Sequence, residues 1–273
     1  MKGRVLIVAG SDSGGGAGIQ ADIKAVTALG AFAMTAITAL TAQNTEGVSG
    51  VFPIPPAFIR EQMGVVIADL GVDAVKSGML HDAPVIEAVA EEVATRLPGI
   101  PFVVDPVMVA KGGHRLLEES AVSALKASLL PLASVLTPNV PEAEALSGQA
   151  ILDEGDMRRV GAALLALGPK AVLLKGGHLS GERVTDLLVT SDGAEAFSSP
   201  RIETRHTHGT GCTLASAIAA GLAQGMALRE AVIRARHYVL LAMASAPGYG
   251  GGHGPLDHAV TVDPARVAAL CRE

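Results

Sequence analysis

The chain lacks tryptophan altogether, and aromatic residues make up only 3% of its 273 positions. Ala, Val, Leu and Ile must therefore fill its core, which suits helices packed on a Val/Ile/Leu-rich parallel sheet. Cysteine is scarce as well. Cys212 and Cys271 are the only two, too few for a disulfide framework and in keeping with a reducing cytoplasm. Positive charge is not in excess: 21 Lys and Arg stand against 27 Asp and Glu, for a formal net charge of −6. No basic run reaches the density of a nucleic-acid surface, so a nucleic-acid partner is not expected. Long hydrophobic runs are also missing. The nearest, residues 213–228, is interrupted by Ser216, Gly221, Gln224 and Gly225 and reads as a buried core helix, not a membrane span. Apolar residues 5–9 are followed at once by polar Ser11, Asp12 and Ser13, too short a stretch for the apolar core of a secretory leader. A cytoplasmic protein is expected.

Glycine (32) and proline (15) punctuate what remains. Short apolar runs with β-branched residues are each followed by a Gly- or Pro-marked turn and then by a longer segment of helical period, the rhythm of an α/β protein. These runs predict strands over residues 4–9, 34–40, 74–77, 101–105, 134–137 and 171–175. The helical periods predict helices over 17–29, 56–69, 84–96, 118–130, 141–146, 155–167, 211–224 and 229–246. Residues 184–190 and 201–204 could add edge strands, antiparallel to the rest. No repeat or linker divides the chain, so a single domain spanning 1–273 is expected.

Several of the strands end on polar or glycine-rich turns: Gly10-Ser11-Asp12, Gln43-Asn44, Ser77-Gly78-Met79, Asp105-Pro106, Pro138-Asn139 and Lys175-Gly176-Gly177. In an open parallel sheet, ligands collect outside the carboxyl ends of the strands, so these turns would line one functional edge. Glycine-rich residues 248–254 read as a surface loop. Together with residues 110–116, which include Lys111-Gly112-Gly113-His114, they are candidate flaps over that edge.

The stretch His208-Gly209-Thr210-Gly211-Cys212-Thr213 opens the alanine-rich helical run. A glycine-rich turn feeding a helix offers unpaired backbone N–H groups and a positive dipole end, an anion site. A thiol at that entrance loses its proton more easily, which makes Cys212 a candidate base or nucleophile; the same residues also suit a plain connection with a small buried thiol. Ser13-Gly14-Gly15-Gly16-Ala17-Gly18 fits neither the dinucleotide nor the Walker spacing, and leaves a backbone able to approach a ligand closely, with Asp22 in the helix beyond. Asp105 ends a strand before Pro106, and Asn139-Val140-Pro141-Glu142 follows another strand. Such carboxylates can orient hydrated Mg²⁺, although Asn-x-x-Glu is equally a helix-capping pattern. Lys175 at a strand end can meet a nucleotide phosphate or simply reach solvent. The histidines at 206, 208, 253 and 258 lack the spacing of a zinc site.

In order and spacing, these segments resemble the hydroxymethylpyrimidine and phosphomethylpyrimidine kinases of thiamine biosynthesis, in the ribokinase-like superfamily. The resemblance is carried along nearly the whole chain by Ala9-Gly10-Ser11-Asp12-Ser13-Gly14-Gly15-Gly16-Ala17-Gly18, Thr41-Ala42-Gln43-Asn44-Thr45, Lys76-Ser77-Gly78-Met79-Leu80, Val104-Asp105-Pro106-Val107-Met108, Thr137-Pro138-Asn139-Val140-Pro141-Glu142, Lys175-Gly176-Gly177-His178, Thr207-His208-Gly209-Thr210-Gly211-Cys212-Thr213 and Gly252-His253-Gly254-Pro255-Leu256. It implies a three-layer αβα fold and a homodimer. It also implies ATP-dependent phosphorylation, with Mg²⁺, of 4-amino-5-hydroxymethyl-2-methylpyrimidine and then of its monophosphate. Residue by residue, it implies that Gly209, Thr210 and Gly211 form the anion hole and that Cys212 accepts the hydroxyl proton. Gly10, Asp22, Gln43, Met79 and Val107 would hold the pyrimidine, and Gln43 can both donate to and accept from its edge. Asp105 and Glu142 would organise Mg²⁺, while Lys175, Asn139 and Thr210 would contact ATP. Two positions depart from the family's pattern: Arg236 stands where a lysine is usual, and Thr41 where a valine is. A pyridoxal kinase, a silent pyrimidine-binding module and a cysteine hydrolase are the rival readings.

Overall fold

A computed structural model of the chain describes residues 1–108, 119–263 and 265. The first strand, β1 (Arg4–Asp12), is buried along almost its whole length, and its side chains alternate between two cores as a period of two requires. Val5, Ile7 and Ala9 face one core, Leu6 and Val8 the other.

The chain continues through α1 (Gly18–Ala28), β2 (Phe32–Gln43), β3 (Val48–Pro53), α2 (Pro56–Asp69), β4 (Ala74–Ser77), α3 (Ala83–Arg96) and β5 (Phe102–Val104). Then come α4 (Glu119–Ala124), β6 (Val135–Leu136), α5 (Val140–Ser147), α6 (Glu154–Leu165), β7 (Ala171–Leu174), β8 (Arg183–Thr190), β9 (Gly193–Pro200), α7 (Thr210–Ala223) and α8 (Leu228–Ala244). One nine-stranded sheet results, in the order β3-β2-β1-β4-β5-β6-β7-β8-β9. The strands from β2 to β7 in that order run parallel, whereas β3 and β8 are antiparallel to their inner neighbours and β9 is antiparallel to β8.

Helices cover both faces. Ile19 and Val26 of α1, Leu214 and Ile218 of α7, and Val232 and Tyr238 of α8 build the core on one side. Ile59 of α2, Ile86 of α3, Leu146 of α5 and Val160 of α6 belong to the core on the other. Each fully buried aliphatic side chain of this kind contributes about 1.5–3 kcal/mol. The helix starts follow local chemistry: Asp82 accepts from the Val85 amide at 2.9 Å ahead of α3, and Asp153 accepts from the Asp156 amide at 2.9 Å ahead of α6.

Most expected elements are present, with shifted ends. Two differ in kind. The strand expected over 201–204 is a loop, and the edge strand is instead β9, whose alternating exposed and half-buried Gly, Ala, Glu and Ser give no apolar run. The helix expected over 118–130 passes at Leu125–Leu129 into a π turn and at Leu130–Leu132, with Pro131, into a 3-10 turn. Strand order reverses between β1 and β4, because β2 lies on one side of β1 and the later strands on the other. The carboxyl ends of these two strands, Ala9-Gly10 and Ser77-Gly78, therefore flank a crevice suited to a ligand.

Candidate active site

A cavity of about 1000 Å³ opens there. It is lined by the ends of β1, β2, β4, β5 and β7, by the starts of α5 and α7, and by one side of α8.

Its first wall is the loop after β1. The Asp12 carboxylate accepts from the Gly14, Gly16 and Ala17 amides at 2.8, 3.0 and 2.8 Å, so the chain wraps around its charge. His208 Nε2 lies 2.9 Å from Asp12 Oδ2. Burial works against the Asp12 charge, but the His208 ring and the Ala17 and Gly14 amides outweigh it and hold the carboxyl below its usual range. This contact ties the glycine loop to the turn before α7, where Gly209 has φ +82 and a Cβ would collide with the Gly16 carbonyl oxygen. Only glycine meets both demands at position 209.

Among the described residues no side chain caps α7. Its first residues, Thr210, Gly211 and Cys212, line the cavity, and the Thr210 amide makes a long 3.4 Å contact to the Thr207 carbonyl. A Cβ on Gly211 would stand 3.1 Å from Lys175 Nζ and 3.7 Å from Asp105 Oδ2. The helix entrance, the strand-end lysine and the strand-end aspartate thus converge on one point. Lys175 Nζ donates to Asp105 Oδ1 at 3.0 Å, and Thr137 Oγ1 donates to the same oxygen at 3.0 Å. Burial opposes the Lys175 charge, yet Asp105 and Glu142 raise its pKa above the ordinary value.

Asn139 and Glu142 form a reciprocal capping box at the start of α5, with Asn139 Oδ1 accepting from the Glu142 amide at 2.9 Å and Glu142 Oε2 from the Asn139 amide at 2.8 Å. Both also line the cavity. The motif thus caps α5 and faces the cavity at once, so the capping role does not displace the ligand reading. Burial, with the nearby Asp105 charge, pushes the Glu142 carboxyl up to about 7 despite the pull of Lys175. Two carboxylates whose negative field is costly in this way fit a divalent cation, and Mg²⁺ takes only one or two protein carboxylates.

Beneath the cavity, Lys76 Nζ donates to Asp22 Oδ1 and Oδ2 at 2.9 and 2.8 Å, with both side chains fully buried. Ser216 Oγ donates to Asp22 Oδ1 at 2.7 Å. Asp22 is absent from the cavity wall, whereas Lys76 is part of it. The expectation that Asp22 reads the pyrimidine meets a different placement: Asp22 lies behind the cavity wall and accepts from Lys76 and Ser216 there. The expectation for Cys212 also changes. The residue lies at the cavity floor, but burial, together with Asp22 and Asp105, pushes its thiol up to about 12 against the pull of Lys76 and the Gly18 amide. Desolvation outweighs the helix entrance, and the group is a thiol at neutral pH. The imidazole a cysteine hydrolase needs is not supplied by His208, whose Nε2 is engaged by Asp12.

Gly10, Gln43, Met79 and Val107 line the cavity. Gln43 stands with its amide between Thr41 Oγ1 and His208 Nε2, at 3.2 and 3.3 Å. Sequence reasoning assigned no role to four further parts. Asp12, Lys76 and the Arg236–Asp186 pair all border the cavity; Arg236 Nε donates to Asp186 Oδ2 at 2.8 Å, and Asp186 Oδ1 accepts from the Gly176 amide at 3.0 Å, bracing the loop that carries Lys175. Arg201 braces the same loop through the carbonyls of Gly177, Leu179 and Gly181. A lysine in the short run Ala-Val-Lys-Ser of β4 was the available signal for a buried partner; the other pairings are visible only in the fold.

Residues 110–116 lie outside the described residues. The loop 248–254 is tied down: the Gly252 and His253 amides donate to Thr45, and the His208 amide donates to the Gly254 carbonyl. Among the described residues no helix is long and apolar enough to cross a membrane.

The phosphomethylpyrimidine kinase family model matches residues 12–257. A thiamine biosynthesis bifunctional protein of Geobacter sulfurreducens is 52% identical over 97% of this chain, and the chain spans 54% of that protein's length. A hydroxymethylpyrimidine/phosphomethylpyrimidine kinase of Streptomyces coelicolor is 51% identical over 93% of both chains. Among solved structures, the pyridoxal kinase of Staphylococcus aureus in complex with AMP-PCP and pyridoxal superposes with a TM-score of 0.88, at 32% identity, over 97% of this chain and 96% of that one. Fold, cavity and sequence agree: this chain belongs to the phosphomethylpyrimidine kinase family, with the ribokinase-like three-layer architecture.

Proposed function

We propose that the chain is an ATP-dependent kinase that phosphorylates 4-amino-5-hydroxymethyl-2-methylpyrimidine on its hydroxymethyl oxygen, and then phosphorylates the monophosphate to the diphosphate, in thiamine biosynthesis. One observation carries the reading: the uncapped entrance of α7, Lys175 Nζ and Asp105 meet around Gly211. Phosphoryl transfer asks a protein mainly for positioning and for neutralisation of charge on the moving group. The Gly209-Thr210-Gly211 turn at the helix entrance and the Lys175 ammonium would supply both. A silent binding module would have no use for them.

Asp105 and Glu142 would hold Mg²⁺, which when bound neutralises charge on the phosphate oxygens. Lys175, with Thr210 and Asn139 beside it, would receive ATP, and the loop carrying Lys175 is held by Asp186, Arg236 and Arg201. Gly10, Gln43, Met79 and Val107 would enclose the pyrimidine. In the transfer itself, the hydroxymethyl oxygen bonds to the γ-phosphorus as the bond to ADP breaks. In a loose transition state the alcohol proton leaves late, and it passes to an oxygen of the transferred phosphoryl group and from there to water. Cys212 therefore serves as a thiol that hydrogen-bonds the hydroxyl, not as a ready thiolate base.

We further read residues 1–273 as one kinase domain working in the cytoplasm. A homodimer has support in Phe52 on the edge strand β3 and Phe58 and Val65 on α2, which are all exposed. Pyridoxal phosphorylation is a second reading, favoured by the likeness to the Staphylococcus aureus enzyme. Incubation of the purified protein with Mg-ATP and either alcohol separates the readings through the phosphorylated product.

A further inference from the structure

At the end of β2, three polar side chains admit only one consistent pattern of protons. His208 Nε2 lies 2.9 Å from Asp12 Oδ2, and an ionised carboxylate can only accept. His208 Nε2 therefore carries a proton, whether the ring is neutral or charged. The Gln43 amide presents its own Nε2 to that nitrogen at 3.3 Å, so two donors face each other. At the other end of the amide, Gln43 Oε1 stands 3.2 Å from Thr41 Oγ1, whose single proton has a nearer acceptor in Ser11 O at 2.8 Å. Two acceptors there compete for one proton. Turning the amide over exchanges oxygen and nitrogen, which are nearly equal in size, and removes the donor-to-donor contact while giving Thr41 Oγ1 a donor. Oε1 then shares the His208 proton with Asp12 Oδ2, as the longer arm of a three-centre bond, and Nε2 donates to Thr41 Oγ1.

We propose that Asp12, His208 and Thr41 lock the Gln43 amide with its oxygen on the His208 side, and that this fixed donor–acceptor order selects a 4-amino over a 4-oxo pyrimidine alcohol. The inference rests on the kinase reading and deepens it. Each end of the amide keeps one hydrogen-bonding position for a ligand, because Oε1 has a second lone pair and Nε2 a second proton. His208 directly precedes Gly209, so the amide oxygen lies towards the α7 entrance. A pyrimidine that donates its 4-amino group to that oxygen and accepts at N3 from Nε2 brings its neighbouring 5-hydroxymethyl group towards the anion cradle. A 4-oxo ring with a proton on N3 offers the reverse order, acceptor to acceptor and donor to donor. A polar site rejects such a mismatch because its own groups are left unpaired. Thr41 gives this chain a lock at the second end of the amide.

The test is the ratio of kcat/KM for 4-amino-5-hydroxymethyl-2-methylpyrimidine to that for its 4-oxo analogue, measured for the unaltered protein, Thr41→Val and His208→Phe. The ratio is expected to fall by about tenfold or more in either variant, as the amide becomes free to turn. General damage to the fold lowers both rates and leaves the ratio alone. Should His208→Phe fail to fold, Thr41→Val decides, since it removes the hydroxyl at nearly constant volume. Turnover with an unchanged ratio overturns the lock alone. No turnover of the amino alcohol by the unaltered protein overturns the kinase reading, and the lock falls with it.

Discussion

Lys76 donates to both carboxylate oxygens of Asp22 at 2.9 and 2.8 Å, and neither side chain is exposed to solvent. A buried pair of this kind is costly to break from one side, because the remaining charge loses its partner inside the protein. Lys76→Met alone is expected to destabilise the fold by about 3–5 kcal/mol, and Asp22→Leu combined with Lys76→Met to cost less than either single change. Urea denaturation midpoints at a common slope measure this. A double variant as unstable as the sum of the singles would contradict the pairing.

Glu142 supplies a pH dependence. Its carboxyl sits at about 7 in the folded chain, against about 4.3 for an unperturbed glutamate. The folded state therefore holds more protons than the unfolded state between these values, and the contribution of Glu142 to stability falls as pH rises from about 4.3 to about 7. The loss is on the order of 3 kcal/mol, and Glu142→Gln should remove that slope. Mg²⁺ must displace the same proton, so its binding is expected to tighten over the same rise in pH. Calorimetric melts of the protein and of Glu142→Gln, with and without Mg-ATP, test both signs. A pH-independent Mg²⁺ affinity would oppose this account of the carboxylate pair.

The Cys212 thiol, pushed up to about 12, should alkylate slowly at neutral pH. In a Cys271→Ser background, iodoacetamide is expected to label it far more slowly than a free cysteine at about pH 8, with the rate still rising at the highest pH the fold tolerates. Rapid labelling near pH 7 would restore the thiolate base.

Gly209 and Gly225 have nearly equal φ, +82 and +84, but a Cβ at 209 meets the Gly16 backbone while one at 225 meets nothing within 4 Å. Gly225→Ala should cost about 1 kcal/mol from the left-handed backbone alone. Gly209→Ala is expected to cost about 2–3 kcal/mol more, through the collision, and to abolish turnover. Equal melting temperatures for the two variants would dismiss the packing of the two glycine turns.

Arg236 braces Asp186, which accepts from the Gly176 amide beside Lys175. Arg236→Leu is expected to raise the KM for ATP by about tenfold and to leave the KM for the pyrimidine alone, while Arg236→Lys keeps most of the function through the same ion pair. A rise in both KM values would point to general damage instead.

The sequence made the parallel strands legible because each is a short apolar run bounded by Gly or Pro; residues 74–77 and the helix 56–69 were read to the residue. It did not announce β9, a half-exposed edge strand whose small and polar residues need no apolar signal, nor β3, which pairs with the end of β2. Among the site residues, those on strand-end turns were readable because topology gathers such turns on one edge. The place of Asp22 was not readable for the opposite reason: its partner Lys76 lies 54 positions away, and no spacing rule pairs them. Asp12 and His208, 196 positions apart, are joined only by the fold.

The central claim is that the α7 entrance, Lys175 and the Asp105–Glu142 pair make this chain a pyrimidine alcohol kinase. Mass spectrometry of the products formed from 4-amino-5-hydroxymethyl-2-methylpyrimidine and Mg-ATP, alongside ADP release, tests it most directly. The account predicts a monophosphate followed by a diphosphate, with ADP released for each phosphate gained and both lost in Lys175→Met. No phosphorylated pyrimidine with the unaltered protein, or undiminished product from Lys175→Met, would contradict it.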